Sequence, residues 1–197
     1  MNVDRSSDAT RLSALRAGEG EAFDELVARW QRPLFAFAWR YVHQHADAED
    51  LVIATFVRLH EQRTRLRPDT NLSAWLFTAL ANLCHNHHRW RRRHPEHSLE
   101  ATAEDAASPP FAPESPAPLP PAALESGETA ATVRAAIDRL PHDQKTVVLL
   151  HHFERLGYGE IAAIVGCSER GVETRLYRAR QRLRDDLQPL VREVSAR

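Results

Sequence analysis

Apolar residues recur at helical spacing along most of this chain. Phe23, Leu26, Val27, Trp30, Leu34, Phe37, Ala38 and Tyr41 fall three or four positions apart, which puts them on one face of an α-helix. Pro33 interrupts that stripe, and its missing N–H and its ring predict a kink or a split. Leu51, Val52, Thr55, Phe56 and Leu59 form a second stripe. Asp47 is suited to cap that helix, with Glu49 and Asp50 in its first turn. A third stripe follows Pro68: Leu72, Trp75, Leu76, Ala79, Leu80 and Leu83. The pattern then changes to CHNHHRWRRRH and stops at Pro95.

Helical spacing resumes with Val133, Ala136, Ile137 and Leu140. Pro141 suits the first turn of a helix through Val147, Val148 and Leu150, and Gly157 is read as its end. Ile161, Ala162 and Val165 make a short face, Gly166 supplies a left-handed turn residue, and Ser168 is a good N-cap. The helix after it buries Val172, Leu176, Ala179 and Leu183. This is a helix-turn-helix pattern, whose second helix enters the DNA major groove. The candidate reading face is Ser168, Arg170, Glu173, Thr174, Arg175, Tyr177 and Arg178, with Arg180, Arg182 and Arg184 further along. No segment alternates as a strand would. The expected fold is all-α, with two small helical domains and a helix-turn-helix in the second.

Composition separates the two domains. Seven of the 12 prolines lie between Pro109 and Pro121, among Ala, Ser and Glu. Such a stretch buries too little apolar surface to offset its ordering entropy. The expected division is residues 1–95, a flexible acidic Pro-rich linker over 96–130 that is protease-sensitive around Ser108 to Pro121, and residues 131–197. Charge divides the same way. The 197-residue chain carries −1 overall, but residues 94–133 hold seven acids and no Lys or Arg, which leaves +6 on the remainder. That positive charge is almost entirely Arg, whose planar fork suits phosphate and guanine edges.

The 43% hydrophobic and 27% charged content is that of a soluble globular protein. No apolar run nears the roughly 20 residues of a membrane span, and the polar N-terminus does not read as a secretory signal. With only Cys84 and Cys167, a disulfide framework is excluded and a reducing cytoplasm is expected. Neither a glycine-rich phosphate loop nor a nucleophile motif is present, so neither an enzyme nor a cofactor is expected. Cys84, His85, His87, His88, His94 and His97 raise a rival reading as a metal- or redox-sensing DNA-binding protein. On one helix, Cys84 shares a face with His87 and His88, so a fourth ligand must come from elsewhere, and no bound metal is expected.

Six segments in order carry a family resemblance: LRAGEGEAFDELVARW, DAEDLV at 47–52, SAWLFTALANL at 73–83, Leu140-Pro141, Tyr158-Gly159-Glu160-Ile161-Ala162, and Val172 through Arg184. Together they resemble the extracytoplasmic-function sigma factors, which direct bacterial RNA polymerase to promoters. The resemblance implies core RNA polymerase and promoter DNA as partners, and an anti-sigma factor, since members are commonly held inactive by one. It implies that Asp47, Glu49, Asp50, Leu51 and Phe56 dock on the polymerase clamp. It also implies that Asn82 belongs to a loop lining the pocket for a flipped −10 base. His85, Arg89, Trp90, Arg91, Arg92 and Arg93 add the positive charge and the indole that a single strand needs. The reading face of the last helix would meet the −35 element. Where the family usually continues DAEDLV with Gln and Glu, this chain has Ile53 and Ala54. A helix-turn-helix regulator that never touches polymerase is the other rival, but it leaves DAEDLV and SAWLFTALANL without a role.

Overall fold

The first apolar stripe folds as a single helix. In the computed structural model, which describes residues 5–94 and 120–195, α1 spans Arg5–Ala17 and α2 spans Gly20–Val42. Pro33 lies inside α2 without splitting it. A proline there forfeits one backbone bond, whereas Leu26, Trp30, Leu34, Phe37 and Tyr41 are all buried on the face that crosses it. Packing outweighs the lost bond.

Helix α3 is His45–Gln62 and α4 is Leu72–Arg93. The start of α3 corrects the expectation for Asp47: the N-cap position is Gln44, and Asp47 lies inside the first turn. Its carboxylate is bonded by α4 instead. Helix α4 corrects a second expectation, because the change to a basic pattern after Leu83 does not end it. Asn82 therefore sits mid-helix, neither in a loop nor at a cap. Trp30, Phe37 and Phe77 meet edge to face between α2 and α4, with centroids 6.2 and 5.7 Å from Phe77. Phe23 of α2 packs edge-on to Phe56 of α3 at 6.4 Å.

The C-terminal helices are α5, Pro120–Asp138; α6, His142–His152; α7, Tyr158–Val165; and α8, Glu169–Ser195. Residues 120–130 of the expected linker are thus helical in α5, and its other residues, 96–119, lie outside the described part. Pro141 is the N-cap of α6, and its carbonyl accepts from the amides of Gln144 and Lys145. Gly157 caps the start of α7, where Glu160 Oε2 accepts from its amide at 3.0 Å, so it does not end α6. Gly166 takes φ 64, the left-handed geometry that lets α7 stop and α8 cross it. Val172, Leu176 and Ala179 are fully buried beneath α8. Among the described residues there is no strand, as an all-α fold requires.

The two helical bodies touch, which nothing in the sequence pattern suggested. Helix α4 packs on α7, and α2 on α6. Lys145 Nζ reaches the Tyr41 carbonyl at 2.7 Å and Asp138 Oδ1 at 2.8 Å. Tyr41 Oη is 2.7 Å from His142 Nδ1, and Arg40 pairs with Glu154 at 3.1 Å.

Candidate nucleic-acid and polymerase surfaces

Three surfaces of different chemistry emerge from this scaffold. The first is the outer face of α3. Burial of Leu51, Val52, Thr55, Phe56 and Leu59 turns Glu49, Asp50, Ile53 and Val57 outward. Ile53 is 59% exposed and Val57 49%. Beside them Gln31, Arg32 and Phe35 of α2 complete a groove of about 380 Å³. Of the five residues expected to dock on polymerase, Glu49 and Asp50 are on this face. Leu51 and Phe56 are core residues that support it from beneath. Asp47 is half-buried, 2.9 Å from His87 Nε2 and 2.8 Å from Arg91 Nη1. The exposed apolar pair was missed in the sequence, although Ile53 and Val57 stand four apart, out of phase with the core stripe.

The second surface is the C-terminal half of α4. Arg89, Arg92 and Arg93 are exposed on it, and Trp90, 47% exposed, stacks on His94 with centroids 4.8 Å apart. Basic groups in a last turn also interact favourably with the helix dipole. Two of the expected DNA-facing residues turn inward. Arg91 is held by Asp47 and Gln44. His85 stacks on His142 of the other body at 4.0 Å. Asn82 is exposed and lines a crevice of about 340 Å³ between the bodies, together with Arg175.

The suspected Cys/His cluster is divided by the same helix. Cys84 is fully buried in the core, and burial pushes its thiol up to about 12. Among the described residues no three His, Cys, Asp or Glu side chains converge as a metal site would require.

The third surface is α8. Ser168 Oγ accepts from the Gly171 amide at 3.2 Å and fixes the helix start. Arg170, Glu173, Thr174, Tyr177 and Arg178 then point outward, with Tyr177 61% exposed. Arg175 departs from the expectation of an exposed reader. It is half-buried, its Nε is 3.6 Å from Asp143 Oδ2, and its Nη1 is 3.5 Å from Cys167 Sγ. One turn apart on the same helix, Arg178 faces solvent and Arg175 faces α6. No helix among the described residues is long and apolar enough to cross a membrane.

Comparison with known proteins agrees with this division. Residues 26–94 match the family description Sigma-70 region 2, and residues 130–183 match Sigma-70, region 4. The chain is 32% identical to the RNA polymerase sigma-H factor of Pseudomonas aeruginosa over 96% of its own length and 98% of that protein. It is 29% identical to the ECF RNA polymerase sigma-E factor of Escherichia coli K12, covering 94% and 97% of the two chains. Among solved structures it resembles CnrH in complex with the cytosolic domain of CnrY, with a TM-score of 0.67 at 25% identity over 93% of this chain and 98% of that one. It also resembles the Bartonella quintana sigma factor RpoE in complex with the anti-sigma factor NepR, with a TM-score of 0.59 at 28% identity over 84% and 96%. With both regions matched in order and the P. aeruginosa factor aligned almost end to end, the chain belongs to the extracytoplasmic-function group of the sigma-70 family of RNA polymerase sigma factors.

Proposed function

We propose that residues 1–95 dock on core RNA polymerase and hold the −10 element, residues 131–197 read the −35 element, and residues 96–130 join them. The outer face of α3 is the docking surface: Glu49 and Asp50 offer charge, and Ile53, in the first of the two positions where the family usually carries Gln and Glu, offers an apolar patch with Val57. Exposed apolar side chains contribute affinity on being buried, and flanking acids set register. Arg89, Trp90, Arg92 and Arg93 suit a single strand, whose phosphates need cations and whose bases need a flat ring. Asn82 contributes to the −10 side. Arg170, Glu173, Thr174, Tyr177 and Arg178 contact the −35 duplex, with Glu173 an acceptor for cytosine N4.

The protein works by binding alone, in the cytoplasm where polymerase is. By likeness to a relative solved with an anti-sigma factor, its further partner is such a factor. The observation that carries this reading is the helix-turn-helix with its outward face: Gly166 at φ 64, the Ser168 cap, and Arg178 and Tyr177 exposed beyond them.

The test is reconstitution with core polymerase. Ile53→Glu with Val57→Glu changes two exposed side chains, so the fold should survive. Affinity for core should fall more than about tenfold, since each apolar side chain contributes roughly 1 kcal/mol or more. Unchanged affinity refutes the docking face. If the unsubstituted chain forms no holoenzyme, the protein is instead a helix-turn-helix regulator acting without polymerase.

A further inference from the structure

The contact between the two bodies includes a stacked pair of histidines. His85 of α4 and His142 of α6 stack with ring centroids 4.0 Å apart and planes at 30°. His142 Nδ1 is 2.7 Å from Tyr41 Oη. Burial drives the Tyr41 phenol away from ionisation, so its hydroxyl keeps a proton that a neutral His142 Nδ1 can accept. An imidazolium at His142 loses that acceptor. It would also face a second imidazole ring four ångströms away.

Few carboxylates stand near enough to compensate. Around His142 are Asp143 and Lys145 on its own helix, His85 from α4, Tyr41 from α2 and Arg175 from α8. Arg89 faces His85, while Lys145, Asp138, Arg92 and His85 surround His88. Asp138 Oδ1 already accepts from Lys145 at 2.8 Å and His43 at 3.0 Å, and Asp143 lies 3.6 Å from Arg175. The junction therefore holds four cations, Lys145, Arg89, Arg92 and Arg175, against two carboxylates that are already engaged.

The same junction borders Asn82, which is assigned to the −10 side. Asn82 and Arg175 line the crevice between the bodies with His142 and Thr78, and Thr78 Oγ1 lies 2.7 Å from the Ile164 carbonyl of α7. We propose that this junction is a proton-released clasp: it closes with His85, His88 and His142 uncharged and opens when they are protonated, widening the crevice beside Asn82 so that DNA can reach that face of α4. The DNA consequence rests on the promoter reading above; the clasp does not.

The direction follows from linkage. Desolvation holds His142 down to about 4, and His85 and His88 are lowered for the same leading reason. Separated bodies return them toward 6.5. The closed form thus has its full stability above 6.5 and loses it as pH falls toward 4. At pH 5.5, His142 alone shifts the open-to-closed ratio about tenfold. Two further ionisable groups stand at the junction. His43 lies 3.0 Å from Asp138, and burial raises Glu154 while the neighbouring Arg40 opposes that shift.

The test measures the distance between the bodies in the full chain, without polymerase or DNA, so its outcome is independent of the sigma reading. Spin labels go on Arg67→Cys and Arg184→Cys in a Cys167→Ser background, with Cys84 buried. Between pH 7.5 and 5.5 the long-distance population should grow about tenfold or more relative to the short one, with helical circular dichroism unchanged. His142→Asn keeps an acceptor beside Tyr41 but cannot titrate, and should shrink that response about tenfold. His85→Asn, a second variant, should shrink it too. Identical distance distributions at both pH values overturn the clasp. So does a response that survives both substitutions, or one accompanied by loss of helix.

Discussion

Helices α4 and α8 are each entered through a side-chain cap three residues ahead of the amide it serves. Asn71 Oδ1 accepts from Ala74, and Ser168 Oγ accepts from Gly171, both at 3.2 Å. Each then carries a run rich in Arg, but at opposite ends. In α4 the cations crowd the last turns, where the helix dipole favours them. Part of that charge is used by the fold itself, since Arg91 and His87 hold Asp47 of α3. In α8, Arg170 stands in the first turn, where the dipole opposes a cation, and the exposed face continues through Arg178. A cation kept at an unfavourable helix end and pointed at solvent is better explained by a partner than by stability. Similar composition therefore has two meanings: α4 gives part of its charge to the fold, whereas α8 presents most of its charge outward.

The strongest way to break that comparison is to loosen the anchorage of α4. Phe77→Ala removes a fully buried ring at the crossing with Trp30 and Phe37. It should cost about 3–5 kcal/mol in urea denaturation. A loss below about 1 kcal/mol would mean α4 is not held from this side.

A smaller effect separates two arginines on α8. Arg178→Ala should weaken −35 duplex binding by the holoenzyme by about 1–3 kcal/mol and relax preference at one base pair. Arg175→Ala should cost less binding but lower the melting temperature, because its guanidinium is spent on Asp143. Equal binding losses would show that Arg175 swings out to read DNA. The finest comparison concerns the caps. Asn71→Ala and Ser168→Ala should each cost about 1 kcal/mol of stability. Only Ser168→Ala should also weaken −35 binding, since it frees the start of the reading helix. A promoter effect from Asn71→Ala, measured with matched holoenzymes, would erase the distinction.

Much of this was legible in the chain itself. Periodicity exposed the stripes of α2, α3, α4 and α8, because a helix that buries one face must repeat apolar residues every three or four positions. Gly166 and Ser168 revealed the turn, since few other residues tolerate its φ or cap the next helix so well. The ordered motifs from DAEDLV to the Arg-rich helix carried the family. Position along the chain could not say how charges are divided. Asp47 looked like a helix cap and a docking residue, and is bound by His87 and Arg91, forty residues and more away. Arg175 looked like a reader and is turned to Asp143. Pro33 looked like a break and is carried through by packing. The histidine junction had no local signature, because His85 and His142 meet only when separately readable helices pack against each other. Local patterns determine which residues face inward on their own helix. Which partner a polar group finds depends on approach between distant segments, and that is decided only when the helices pack.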